Sequence, residues 1–578
     1  MVDIEEIQDF KTYLVDTRHS ERVNQQTIDQ KFFEDKFDIP HIKKKEYEIR
    51  SGFVAEMSNA FTQQLISSIP KVYVDPKMVK GAITKEKQEG SDRLAKLWNQ
   101  WCYQLGKQSH NPFKQTFKYL AFNRGESWIY IPHKPELAQW KGETDWQDEY
   151  PDMIPTHFLI YDPLVMFSDP SEDIKGKPSR VVVSYKRLAA DIYANYPMWS
   201  KYKDVKPDQS VDFLLYVDKD QIYAEAEKES LFREKNGNYS NGDGRRNNLY
   251  KCLPFVHTYS GFGVDTENHA PELLAYSRTR MIRGKIEEDA AMASDFSYNM
   301  HAFAFRHRTF VNKSGVEVGA DAFKEYHPDD PAKLSILNIP AGSDIEVEET
   351  QLFDAPVFAY RQQVKSDLMQ SYPSPLKGQA SGSSGRQEDI LSGAALSFYD
   401  CVVENNSTLW AQAFEIALKV SSELDILPAG LKVDDIKSYS KITVNTKRDD
   451  PLESLRAAAD GDRKYQLGII DLETNLIEYQ HKTKEEAKQI MARLLVDDVT
   501  RNHPVFRELM GMTLAQEMGV VDQYMSLSQG AQGQGGINPT PQFGSQGGQP
   551  REGNIKTQAG REQIDMSGRE PRRAPVGV

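Results

Sequence analysis

Residues 271–300 read PELLAYSRTRMIRGKIEEDAAMASDFSYNM, and residues 387–425 read QEDILSGAALSFYDCVVENNSTLWAQAFEIALKVSSELD. The first stretch predicts one long helix, with Leu274, Ile282, Ile286, Ala290, Ala293, Phe296 and Met300 recurring on one stripe. At the helical rise it would span roughly 45 Å, and its other faces carry Arg278, Arg280, Arg283 and Lys285. The second stretch predicts the longest helix of the chain, roughly 57 Å, with Ile390, Ala394, Phe398, Cys401, Leu409, Ala413, Ile416 and Val420 on one stripe.

What lies between the two helices decides the architecture. Arg308–Asn312, Ile336–Ile339 and Asp344–Glu348 read as strands, and Ala320–Tyr326 as a short helix. Ala355 to about Gln370 returns as helix, stopped by Tyr372-Pro373-Ser374-Pro375. Two helices therefore bracket a small α/β insert. Residues 373–386, PSPLKGQASGSSGR, then form a polar Gly/Ser/Pro loop.

Working outward, residues 1 to about 68 read helical through Phe32, Phe33, Ile49, Phe53, Met57, Phe61, Leu65 and Ile66, with a stop at Ser68-Ile69-Pro70. A strand is expected from Lys71, and residues 88–108 form a helix carrying Leu94, Leu97, Trp98, Trp101 and Leu105. After a Phe113–Phe122 helix the chain turns β-rich: Ser127–Ile131, Thr156–Tyr161, Val165–Phe167, Arg180–Tyr185, Val211–Val217, Gln221–Ala226 and Leu253–His257. The turn-rich Asn236–Gly244 lacks the DxDxDG spacing and closing Glu of a calcium loop, so it reads as a hairpin loop. Past the break at Pro428–Gly430, Tyr439–Val444 is a strand. Helices then run over 451–525, split at Gly468–Asp471 and near His503-Pro504, before a Gln/Gly/Pro-rich tail from about 527. The fold class is α+β, in several domains.

The bulk properties bound the chemistry. The 578 residues suffice for three or four domains, and 39% are hydrophobic. With 85 acidic against 71 basic residues, the net charge of −14 argues against tight wrapping of nucleic acid through its phosphates. Cys102, Cys252 and Cys401 stand far apart and read as idle thiols in a reducing compartment. The acidic start MVDIEEIQDF predicts no signal peptide, and no stretch is long and apolar enough to span a bilayer. Walker A, HExxH, GxSxG, CxxC, kinase and dinucleotide-binding signatures are all missing from the sequence. Acid runs such as Glu287-Glu288-Asp289 and Asp449-Asp450 read as solvated or interface charges. No enzyme, cofactor or metal is expected.

Several stretches together are similar to one family. Asn111–Leu120 followed by the strand to Ile131, the Asp162-Pro163…Asp169-Pro170 segment, Leu253–Val256 ahead of the 271–300 helix, and Gln466–Thr474 resemble the portal (head–tail connector) proteins of tailed bacteriophages, over roughly residues 20 to 525. That resemblance implies a mixed α/β wing over 1–268 and a stem helix over 269–302. It implies a small α/β clip over 303–352, a second stem helix over 353–372 and a tunnel loop over 373–386. The long tunnel helix and wing return would occupy 387–450, a helical crown 451–526 and a disordered tail 527–578. It implies a ring of twelve copies at one capsid vertex of a virion assembled in host cytoplasm. Its partners would be the terminase large subunit, the major capsid and scaffolding proteins, and head-completion, adaptor or tail proteins. Double-stranded DNA would pass through without sequence specificity, and no membrane is involved. On this basis Lys377, Gln379, Ser381, Ser383, Ser384 and Arg386 are expected to face DNA from the loop. Arg306, His307, Arg308 and Lys313 are expected on the clip, where terminase or adaptor docks. Ile282, Ile286, Phe296, Phe398 and Leu409 are assigned to core or subunit packing. Another phage head protein, or less plausibly a metal-dependent DNA-processing enzyme, are the alternatives.

Overall fold

A computed structural model describes residues 3–39, 48–78, 83–134, 154–172, 177–197, 199–232, 244–304, 308–311, 344–347, 355–369, 396–428, 430–448, 451–480, 482 and 484–502. The chain divides into two units, 1–487 and 488–578. In the second, only helix over 488–502 is described.

The helices are α1 (Ile4–Thr12), α2 (Ser20–Phe33), α3 (Phe53–Leu65), α4 (Lys85–Gly106), α5 (Pro112–Lys118), α6 (Arg278–Ala304), α7 (Ala355–Met369), α8 (Asp400–Glu423), α9 (Pro451–Gln466) and α10 (Lys484–Asn502). The strands are β1 (Ile66–Pro76), β2 (Glu126–Tyr130), β3 (Leu159–Tyr161), β4 (Met166–Phe167), β5 (Arg180–Leu188), β6 (Ser210–Asp218), β7 (Gln221–Ala226), β8 (Glu229–Ser230), β9 (Arg245–Asn247), β10 (Phe255–Tyr259), β11 (Arg308–Val311), β12 (Asp344–Val347) and β13 (Tyr439–Lys447). Among the described residues every strand pairing is antiparallel, which makes the chain α+β.

The principal core gathers on α8. Its Leu409, Trp410, Ala413 and Phe414 pack against Trp98 and Trp101 of α4 and Phe113 of α5, all buried. Phe113 and Trp410 rings lie 4.4 Å apart. A polar chain crosses this core fully satisfied: Trp410 Nε1 donates to Thr116 Oγ1 (3.0 Å), and Thr116 Oγ1 donates to Asn406 Oδ1 (2.7 Å). Beside it, β1 pairs with β13, tying the first hundred residues to the return of the chain.

A second core surrounds the sheet β4-β5-β6-β7-β8, with β9 added on β7. Strand β6 is buried continuously from Phe213 to Val217, because both faces are covered. Phe213, Leu215 and Val217 meet Ile192 and Trp199 on one side. Leu214 and Tyr216 meet Ile7, Phe10 and Leu14 of the N-terminal helices on the other.

The stem-like part is a helical hairpin. Ile282, Ile286 and Ala290 of α6 are buried, as are Val364 and Leu368 of α7. The antiparallel register is marked by Lys285–Asp367 (3.5 Å), Asp289–Arg361 (3.3 Å) and the stacked rings of Phe296 and Phe358 (4.9 Å). Between the two helices, β11 pairs with β12.

Four expectations are corrected. The first helical region ends at Leu65 and the strand begins at Ile66, so Ser68-Ile69-Pro70 lies in the strand. The register advances five residues on β1 for two on β13 between Ile66 and Lys71, and this irregularity accommodates Pro70, which has no N–H to offer a partner. Ile49 is exposed, not part of the apolar stripe. The 271–300 helix is broken: a single turn, Pro271–Leu274, precedes α6, and Ala275 sits at φ −81°, ψ 76°. Met300 is 60% exposed, so the stripe ends before it. The helix Ala320–Tyr326, the strand Ile336–Ile339, the loop 236–243, residues 387–395 and everything beyond 502 lie outside the described residues.

Candidate functional site

The expected DNA-facing residues Lys377, Gln379, Ser381, Ser383, Ser384 and Arg386 lie outside the described residues, as do Arg306, His307 and Lys313. Arg308 opens β11, opposite Val347. Among the packing residues, Ile282, Ile286 and Leu409 are buried within the chain's own core. For these three the packing is that of the core. Phe398 is 40% exposed, stacked on Phe262 (5.0 Å) beneath the Arg278 guanidinium. Phe296 is half-buried against Phe358.

The densest chemistry lies elsewhere, where α2 crosses β2 and the start of α6. Arg22, Gln26 and Asp29 fall on one face of α2, at the spacing that normally carries apolar side chains, and all three are buried. Arg22 Nη1 donates to Glu126 Oε1 and to Pro163 O (2.9 Å), and Nη2 donates to Met166 O (2.9 Å). Gln26 Nε2 donates to Glu126 Oε1 (2.7 Å) and to Arg124 O (2.8 Å). The other Glu126 oxygen meets His257 Nε2 at 3.0 Å, and the His257 ring stacks on Trp128 at 4.1 Å. Arg124 grips Asp162 with two parallel hydrogen bonds, Nε to Oδ1 at 2.7 Å and Nη2 to Oδ2 at 2.8 Å.

Burial alone would raise Glu126, but Arg22 beside it, with hydrogen bonds from His257 and Gln26, holds its carboxyl far below the usual range. Burial and then Arg22 push His19 down to about 3, so it is neutral near pH 7 while its Nε2 bonds Ser168 O at 2.7 Å. Asp29 behaves oppositely: burial raises it despite Arg280, the Ser277 hydrogen bond and Arg283.

This cluster is sealed. Arg22, Glu126 and His257 are each no more than 2% exposed, so no substrate reaches them. Chemically it is a fixed electrostatic joint that ties α2 to β2, β10 and the 163–166 segment. Burial likewise raises the thiols of Cys102, Cys252 and Cys401. Among the described residues no three His, Cys, Asp or Glu side chains gather as a metal site would need, and no helix is long and apolar enough to cross a membrane. Sequence reading missed the joint because it searched for apolar periodicity. The available signal was Arg22, Gln26 and Asp29 at i, i+4 and i+7 on a helix with a weak apolar stripe.

Comparison with protein-family models gives no match for this chain, and no curated protein matches it.

Proposed function

We propose that this chain is the subunit of a ring-forming portal of a tailed bacteriophage, the channel for genome packaging and ejection and the attachment point for tail or adaptor proteins. The observation that carries this is the α6–β11/β12–α7 hairpin. Two antiparallel helices with a two-stranded pair between them are inserted between the β-rich part and the α8–β13 return. On its two helices Tyr298, Met300, Phe358 and Tyr360 are all more than half exposed. These exposed apolar and aromatic side chains lie on more than one side of the two helices, and in a closed ring neighbouring copies on either side would cover them. The acidic net charge suits a conduit past which DNA slides.

On this proposal β11 and β12 belong to the clip that meets the terminase large subunit and later the adaptor or tail proteins, and the protein resides at the capsid vertex of the virion. Particle mass and negative-stain projections of the purified chain test it. Closed rings with a hole wide enough for duplex DNA are expected. A monomer that cleaves DNA with a divalent metal would overturn the proposal in favour of a DNA-processing enzyme.

A further inference from the structure

We infer that the break at Ala275–Ser277 is a pivot for the long helix α6, and that Asp29 is the side chain that holds α6 at its present angle. The pivot is seated in backbone. Gly125, at φ +74°, leaves room for no Cβ, which would lie 2.4 Å from Tyr276 N, and one on Gly263 would lie 2.2 Å from Leu273 O. Ser260 Oγ donates to Tyr276 O at 2.7 Å, and Ser260 N to Gly125 O at 2.8 Å. The chain is thus clamped at the break itself.

Beyond the clamp, the first turns of α6 are tied to the rest by polar side chains. Ser277 caps the helix, accepting from Arg280 N at 3.1 Å while donating to Asp29 Oδ2 at 2.8 Å. Thr279 Oγ1 donates to Phe122 O at 2.6 Å, and Arg283 Nη2 to Gln25 Oε1 at 2.5 Å. Arg278, Arg280 and Arg283 crowd a helix N-terminus, where the peptide dipoles already present positive charge. Arg124 adds to the positive field on Asp29. Asp29, on α2, is the fully buried carboxylate that faces this cluster, while Glu21 lies on the exposed side.

The contact is loose. Arg280 Nε and Arg283 Nη1 stand 3.6 Å from the Asp29 oxygens, beyond hydrogen-bond range, and Asp29 Oδ1, Arg280 Nε and Nη2 and Arg283 Nη1 are buried with no hydrogen-bond partner. Further along, Ile282, Ile286 and Ala290 seat α6 in the main core and Ser294 Oγ accepts from Ile49 N at 2.9 Å, so the incompletely satisfied charges at its first turns are where a second arrangement would begin. The N-terminal helix α2 thereby sets the angle of the hairpin that carries β11 and β12. This does not rest on the portal proposal, since it concerns contacts within one chain.

Spin labels at Tyr298→Cys on α6 and Tyr193→Cys on the β-rich part, both exposed, with Cys401→Ser, report the angle as a distance distribution in the full-length chain. Labelled protein is diluted into unlabelled protein so that only distances within one chain count. Asp29→Ala is expected to broaden the distribution about twofold or add a second distance, with β5–β7 amides keeping their exchange protection. Asp29→Asn keeps the shape but leaves the arginines without their counter-charge, and it decides the matter if Asp29→Ala does not fold. Broadening in the folded variant supports the pivot. An unchanged distribution in a folded Asp29 variant overturns it, whatever happens to ring formation.

Discussion

Arg22 and Glu126, 104 residues apart in the chain, form a buried ion pair in which each side chain is no more than 3% exposed. The pair is supported on all sides: Arg22 also reaches two backbone carbonyls, and Glu126 also takes bonds from Gln26 and His257. Such pairs are worth little against a well-packed apolar substitute, yet breaking one leaves a stranded charge.

The consequence is an asymmetry that denaturant unfolding can read. Arg22→Ala strands the Glu126 carboxylate in a dry site and is expected to cost about 3–5 kcal/mol. Arg22→Met with Glu126→Leu removes both charges at similar volume and is expected to cost less than Arg22→Ala alone. Equal losses for the single and double variants would show that the pair acts through packing and not through charge.

Gly125 permits the turn ahead of β2 to press against the Ala275–Tyr276 backbone at positive φ. In Gly125→Ala the added Cβ meets Tyr276 N at 2.4 Å, a backbone atom that cannot rotate away. The left-handed backbone and the overlap together are expected to cost about 2–5 kcal/mol in denaturant unfolding. A loss below about 1 kcal/mol would mean that the two segments separate freely.

The exposed apolar side chains of the hairpin separate folding from assembly. Tyr360→Asp and Met300→Asp place charge on side chains 54% and 60% exposed. Unfolding free energy is expected to stay within about 0.5 kcal/mol of the parent, as at ordinary surface positions. Ring content measured by single-particle mass should fall to background. Rings at the parental level in both variants would remove these side chains from the interface.

How far the sequence carried the fold depends on what kind of side chain marked each element. On α4, the Leu94, Leu97, Trp98, Trp101 and Leu105 stripe was legible because tryptophan and leucine at helical spacing have one common use, and all five are buried. The β6 run was legible because an unbroken apolar stretch, Phe213–Val217, reads as a strand covered on both faces. The break ahead of α6 was not, because a helix start is normally announced by acids in its first turn, and here arginines stand there. The carboxylate that complements them, Asp29, comes from 248 residues earlier. The buried stripe Arg22, Gln26 and Asp29 reads in sequence as a solvated face, and only its partners on β2 and α6 reverse that. For the candidate sites, Lys377 and Arg386 are singled out only by the resemblance, which places them in a Gly/Ser loop facing DNA. The joint at Glu126 depends on contacts a hundred residues distant that no local pattern encodes.

His19 gives the joint a pH dependence of defined sign. Folded, it holds its proton only below about 3; unfolded, it takes the ordinary 6.5. Between those values the unfolded chain carries a proton that the folded chain lacks, so stability falls as pH drops, by up to about 1.4 kcal/mol per unit. Glu126, held far below its ordinary 4.5, acts in the same direction but only once pH falls below that value. Asp29, raised by burial, opposes the loss as pH falls from its folded value to the ordinary 3.8. Comparison with a variant that lacks only the imidazole isolates the part that belongs to His19. Denaturant midpoints of the parent and of His19→Gln at about pH 7, 6 and 5 should diverge, the variant losing less stability than the parent on acidification. Ionisations common to both proteins cancel in that difference. Parallel curves would mean that His19 accepts its proton in the folded chain, and that the contact between its ring and Ser168 O opens readily to water.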